Sequence, residues 1–205
     1  MLDTLQRTAT AAAGFQSNST PSTAVSEHAL VAGWRDGLTI VNLRGNAEDA
    51  AFRDAAAQAL GLALPVTACT SVVDAVWRIV WAGPDDWFVI GPKGQADAVV
   101  SKLHEALAGQ HHAVTDVSSG YTVLHLSGRP VRDVLAQGCP LDLHPSVFKT
   151  GASAGSLFFK ASIWLWRGDE ATGYEALVRR SFSGYVWSML ERCTQECGLV
   201  TRRFV

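Results

Sequence analysis

The sequence predicts an α+β fold: two tandem ferredoxin-like βαββαβ halves packed together, preceded by an extended N-terminal arm. Strand-like and helix-like runs follow one another in the order β-α-β-β-α-β from Leu38 to Val117. The same order starts again at Tyr121 and continues to the C-terminal end. Short segments at equivalent places are also alike. Thr39-Ile-Val-Asn-Leu-Arg-Gly45 resembles Thr122-Val-Leu-His-Leu-Ser-Gly128, Arg53-Asp54 resembles Arg132-Asp133, and Leu62-Ala-Leu-Pro65 resembles Leu141-Asp-Leu-Pro145 with His144 as one inserted position. The expected organisation is an arm over residues 1–33 and a single domain over 34–205, its halves covering about 34–118 and 119–205.

The arm is rich in Ala, Thr and Ser and carries only Asp3, Arg7 and Glu27 as charges, with no sustained period. It suits either a loose terminus or a segment that orders on a partner. In the first half, Leu38 to Leu43 reads as a strand ending at Gly45. Asn46 is the expected cap of a helix whose apolar stripe is Phe52, Ala55, Ala56, Ala59 and Leu60, stopped by Gly61. Asp74 to Trp81 and Trp87 to Ile90 read as strands around the turn Gly83-Pro84-Asp85-Asp86. Ala96, Val99, Val100, Leu103, Ala106 and Leu107 form a second helical stripe ended by Gly109, and Ala113 to Val117 a further strand. In the second half, Tyr121 to Leu126 is a strand, and Pro130 at a first helical position opens a short helix through Val131, Val134 and Leu135. Leu157 to Trp166 and Tyr174 to Arg179 are strands around a turn at Gly168-Asp169. Phe182, Val186, Met189, Leu190, Cys193 and Cys197 lie at helical spacing, and Leu199 to Phe204 closes as a strand.

Composition narrows the function classes. Of the 205 residues 48% are hydrophobic and 18% charged, with seven Trp and a mean hydropathy of +0.12. So apolar a chain buries a full core or hides surface against partners. A net charge of -2 argues against a nucleic-acid surface. No run reaches the roughly 18–20 apolar residues of a membrane span, and the first residues make a poor secretory signal. Four cysteines at 69, 139, 193 and 197 form no Cys-x-x-Cys, so a reducing cytoplasm is the expected compartment.

The chemistry-bearing letters each have a structural alternative. His104-Glu105 lacks the second histidine of a zinc-protease helix and reads as a partly exposed helix position. His111 and His112 are adjacent, point oppositely in an extended chain, and suit a solvated turn better than a chelate. Cys193 and Cys197 share a helix face and read as buried thiols, since two thiolates do not complete a tetrahedral site. Cys139 with His144 is a conceivable nucleophilic pair without an orienting residue. Asp116, Ser118, Ser119 and His125 hold the letters of a hydrolase triad, but no Gly-x-Ser-x-Gly accompanies them; Asp and Ser tying down backbone at a strand junction is the plainer role. Trp77, Trp81 and Trp87 crowd one hairpin and Trp164 and Trp166 the other, suiting core packing or a protein interface more than base stacking. Arg179-Arg180 and Arg202-Arg203 are a basic concentration that could meet an anion, an acidic partner or solvent. No glycine-rich phosphate loop occurs.

Four segments carry a resemblance: Trp81-Ala-Gly-Pro-Asp-Asp-Trp87, Asp116-Val-Ser-Ser-Gly120, Gly138-Cys-Pro-Leu-Asp-Leu-His-Pro145 with Phe148, and Arg180-Ser-Phe-Ser-Gly-Tyr-Val-Trp187. Together they resemble the gamma subunits of heterotetrameric sarcosine oxidases from about Trp34 to the C-terminal end. The chain also resembles the folate-binding domain of glycine-cleavage aminomethyltransferases, whose fold is built from paired ferredoxin-like halves. The resemblance implies a non-catalytic gamma subunit of a flavoenzyme that demethylates sarcosine oxidatively to glycine, forming hydrogen peroxide and formaldehyde or methylene-tetrahydrofolate. It implies alpha, beta and delta partners, with FAD, FMN and NAD on alpha and beta and zinc on delta. No catalytic, cofactor-binding or metal-binding residue is expected on this chain, and neither nucleic acid nor membrane as partner. The alternatives are a stand-alone folate-binding or aminomethyl-transferring module and, more remotely, a nucleic-acid binder using the tryptophans.

Overall fold

The computed structural model describes residues 28–168 and 173–204. The expected arm lies outside these up to residue 27, and so do residues 169–172 of the turn expected at Gly168-Asp169. The elements are β1 (Leu30–Arg35), β2 (Thr39–Gly45), α1 (Ala50–Leu60), β3 (Ser71–Val73), β4 (Arg78–Gly83), β5 (Asp86–Gly91), α2 (Ala96–Ala106), β6 (His112–Asp116), β7 (Tyr121–Ser127), α3 (Val131–Ala136), β8 (Ser153–Phe158), β9 (Ala161–Arg167), β10 (Tyr174–Arg179), α4 (Ser183–Cys193) and β11 (Leu199–Thr201).

They form an α+β fold with two sheets. The first has the order β3-β4-β5-β2-β6 and is antiparallel throughout. The second has the order β11-β1-β7-β10-β9-β8. Its single parallel pairing is β1 with β11. Alternation along β2 explains the layering: Val41 and Leu43 face Phe52, Val99 and Leu103 of α1 and α2, whereas Ile40 faces the second sheet. Ile40, Val80, Phe88 and Ile90 meet Tyr121, Val123, Trp166 and Leu177 in a core between the sheets. Val134, Leu135, Val186 and Leu190 of α3 and α4 cover the far face of the second sheet. The result is four layers, helices-sheet-sheet-helices, each sheet buried on both faces.

Several expectations are corrected. Leu30 and Ala32, placed in the arm, are fully buried in β1, a strand without a local signal. The cap of α1 is Asp49, whose side chain accepts from the Ala51 N–H at 2.9 Å; Asn46 lies three residues too early and accepts instead from Glu48. β4 begins at Arg78 rather than Asp74, because the Asp74 carboxylate accepts the N–H groups of both Val76 and Trp77 at 2.7 Å and folds this stretch into a turn. Pro130 sits at the cap position of α3, not at its first residue. The single strand expected over Leu157 to Trp166 is a hairpin, β8-β9, turning at Phe159 and Lys160. Phe159 takes a left-handed φ of 53°, which a sequence does not advertise. It is held by its N–H bond to the Gly138 carbonyl at 2.8 Å, and its ring lies where a Cβ on Gly138 would stand 2.4 Å away. α4 ends at Cys193, where the Thr194 hydroxyl donates to the Leu190 carbonyl at 2.9 Å, so Cys197 lies beyond the helix; Phe182 precedes it and is exposed. β11 stops at Thr201, and Phe204 makes an isolated bridge to Arg35.

Candidate functional site

A cleft of about 450 Å³ opens between the two sheets, lined by the segments 35–38, 73–78 and 90–93 and floored by Val123, Trp166 and Glu175. Four strands deliver its polar base: Arg35 ends β1, Arg78 begins β4, Trp166 lies on β9 and Glu175 on β10, and His125 of β7 stands beside Glu175. Glu175 is the centre. One carboxylate oxygen accepts from Arg35 Nη1 at 2.7 Å and stands 3.8 Å from His125 Nδ1. The other accepts from the Trp166 indole N–H at 2.9 Å and lies 3.9 Å from Arg78 Nε. Burial opposes ionisation of this side chain, but the His125 ring, the Arg35 guanidinium and the Trp166 N–H outweigh it and hold its pKa at about 2.

Arg78 is less well served. Its side chain is 16% exposed, and its guanidinium lies 5.6 Å from the centre of the Trp166 ring. Among the described residues its hydrogen bonding is a single long contact from Nη1 to Ser71 Oγ at 3.4 Å. Burial lowers its pKa, with Glu175 opposing and Arg35 reinforcing that shift. The outer wall is the Trp77 ring, which lies along Gly91 where any Cβ would stand 2.2 Å from it. Val73 and Val76 form exposed lips, and Lys93 and Asp36 lie at the rim.

The residues weighed from the sequence are mostly kept apart. Cys139 is buried, its sulfur 3.6 Å from Ser156 Oγ, whereas His144 is exposed and shares a 2.6 Å hydrogen bond with Ser146. Ser118 Oγ accepts from the Ile40 N–H at 2.9 Å, and Asp116 accepts from the Ser118 N–H at 2.9 Å, which is the strand-junction role. His125 instead packs on Phe204, 4.2 Å between ring centres, in the other sheet. The Ser119 carbonyl accepts from Arg180 Nε at 3.0 Å, tying down the β6-β7 link, and Arg179 lies 5.2 Å above the Tyr121 ring. The Arg202 backbone pairs with β1 through Ala32. Cys193 and Cys197 are half-buried, and burial pushes the Cys193 thiol up. All seven tryptophans pack on one of the three cores. Glu105 stays on α2, while His104 and His112 meet, Nδ1 to Nε2, at 2.9 Å, a pairing missed because α2 and β6 are brought together only by folding. Among the described residues no group of three or more His, Cys, Asp or Glu is placed to hold a metal ion, and no helix is long and apolar enough to cross a membrane.

The Glu175 centre was also missed. Its one sequence signal is a carboxylate inside the apolar strand Tyr174-Glu-Ala-Leu-Val178, since a charge there needs partners.

Comparison with known proteins supplies the context. Residues 44–196 match the family described as SoxG: Sarcosine oxidase, gamma subunit family. A sarcosine oxidase subunit gamma from Arthrobacter sp is 34% identical over 96 residues, covering 47% of this chain and 46% of the relative. One from Corynebacterium sp. (strain P-1) is 34% identical over 131 residues, covering 63% of each. The chain thus spans about half of the first relative's length and under two thirds of the second's. A chain of the heterotetrameric sarcosine oxidase from Corynebacterium sp. U-96, solved with pyrrole 2-carboxylate, superposes with a TM-score of 0.78 at 26% identity, covering 88% of this chain and 90% of that one. Aminomethyltransferase T of the glycine cleavage system from Bartonella henselae shares the fold, with a TM-score of 0.60 at 14% identity over 85% of this chain and 49% of that one.

Proposed function

The chain belongs to the sarcosine oxidase gamma-subunit family, and from that premise we propose that it is the gamma subunit of a heterotetrameric sarcosine oxidase, serving assembly rather than chemistry. The supporting observation is the near full-length superposition on a chain of the Corynebacterium heterotetramer. In this reading the complex demethylates sarcosine oxidatively to glycine in the cytoplasm, with alpha, beta and delta subunits as partners. FAD, FMN, NAD and zinc reside on those other chains. The separation of Cys139 from His144, and of His125 from Ser118, supports a chain without a catalytic group. The aminomethyltransferase likeness is one of fold, so it carries no folate chemistry here.

We also infer that the two halves are ferredoxin-like repeats. The order β6-β2-β5-β4 recurs as β11-β7-β10-β9 once β1 is set aside, and β2 and β7 are the strands whose sequences resemble each other.

The test is made on the assembled complex. Omitting this chain from co-expression should lower the yield of complex. Cys139→Ala and His144→Ala should each leave turnover within about tenfold, or about 1.4 kcal/mol of barrier. A loss of several thousandfold with normal assembly and flavin content would overturn the assembly-only role.

A further inference from the structure

We propose that the cleft between the sheets binds a small organic carboxylate, its charge held by Arg78 at the base and its apolar or aromatic body laid against Trp77, Val73 and Val76. The proposal stands apart from the assembly role and does not rest on it. A half-buried guanidinium that opens into a cleft keeps donors on offer to any acceptor that displaces water from them. Arg78 has five N–H donors and, among the described residues, one bond of 3.4 Å. Glu175 does not fill the gap. It lies 3.9 Å from Nε, and its oxygens already accept at 2.7 and 2.9 Å from Arg35 and Trp166.

Charge points the same way. Arg35 and Arg78 face one carboxylate at the base, an excess of one positive charge. Asp36 and Asp74 outnumber Lys93 in the rest of the lining, so the positive excess is confined to the base, where the Asp74 carboxylate is turned away to the backbone of Val76 and Trp77. A single anion would balance the base and give Arg78 the acceptors that the protein itself does not supply. A planar two-oxygen carboxylate matches the guanidinium fork. The remaining lining sets the body of the ligand. The Trp77 ring is fixed along Gly91, and Val73 and Val76 are 57% and 50% exposed at the mouth. The volume of about 450 Å³ is that of a small-molecule site.

Isothermal titration of the full chain with indole-3-acetate, and with indole-3-acetamide as the uncharged analogue of equal shape, tests this. The acid should bind about tenfold or more tightly than the amide, the difference made by one charge-assisted contact. Arg78→Gln should abolish that preference. Val76→Glu changes an exposed lip, leaves Arg78 in place and should weaken the acid while sparing the amide, so the test does not depend on Arg78→Gln folding. No binding of the acid, equal binding of acid and amide, or a preference undiminished in Val76→Glu would overturn the proposal.

Discussion

In the first sheet β6 closes directly onto β2; in the second the matching place beside β7 is taken by β1, and β11 is displaced one strand outward. The first half therefore builds its sheet from residues of its own, while the second borrows its strand from a segment that precedes the first half. The helical cover differs as well: α1 and α2 have 11 residues each, whereas α3, the counterpart of α1, has 6. Two runs with one strand order need not be two independent units. What makes the second half dependent is a long-range insertion in which Leu30 and Ala32 reach full burial, and in which Gly33 is required because a Cβ there would stand 1.8 Å from the Arg202 carbonyl.

The most drastic way to break this comparison is to remove the borrowed strand. A chain beginning at Asp36 should lose the cooperative melting of the second half, because β7 and β11 lose their common neighbour. A single transition at the full chain's temperature, followed by circular dichroism, would show β1 to be dispensable. Next in size is Trp87→Ala. Trp87 is fully buried against Phe52 and donates its indole N–H to the Pro65 carbonyl at 2.8 Å, so the expected loss is about 3–5 kcal/mol by denaturant unfolding. If the first half is self-contained, the damage should fall there and leave the second half's packing signals in place.

Glu175 sits where the halves meet and sharpens the comparison from another side. Its pKa falls from an ordinary 4.5 to about 2 on folding. A depressed carboxylate contributes stability that is fully present above pH 4.5 and lost as the pH falls through 2. The difference amounts to about 3 kcal/mol. Glu175→Gln should therefore destabilise at neutral pH by about that much and flatten the acid limb of a stability-pH curve. An unchanged acid limb would mean that the carboxylate does not couple the sheets. The smallest effect is expected from Trp81→Ala: the ring is half-buried opposite Trp87, and losing the cross-strand contact should cost about 1 kcal/mol in the same unfolding assay.

Much of this architecture was legible because its signals are local. Gly61 ends α1 with a φ of 74°, the Gly83-Pro84-Asp85-Asp86 composition places the β4-β5 turn, and the run from Leu38 to Leu43 ending at Gly45 marks β2. β1 was not legible, because Leu30 to Arg35 follows an unpatterned stretch and owes its strand state to neighbours about 90 residues and more away along the chain. The β8-β9 reversal was missed because a phenylalanine, not a glycine or asparagine, takes the left-handed position. The charged centre was illegible as a set, since its members are contributed by five strands and Arg35 and Glu175 are separated by 140 positions.

The place of β1 also constrains how the chain can be made. Leu30 to Arg35 leaves the ribosome well before its antiparallel partner β7, which follows only after about 90 more residues. At 5–20 residues per second, that is a wait of roughly 5–20 s. Throughout it, an apolar strand with two unpaired edges must be kept from pairing with another nascent chain. Its other neighbour, β11, spans Leu199–Thr201 and arrives later still. The second sheet is thus completed only when β1 is clasped by β11, the last of the described strands in chain order, and slow elongation between Asp36 and Tyr121 should raise the fraction of chains lost to aggregation.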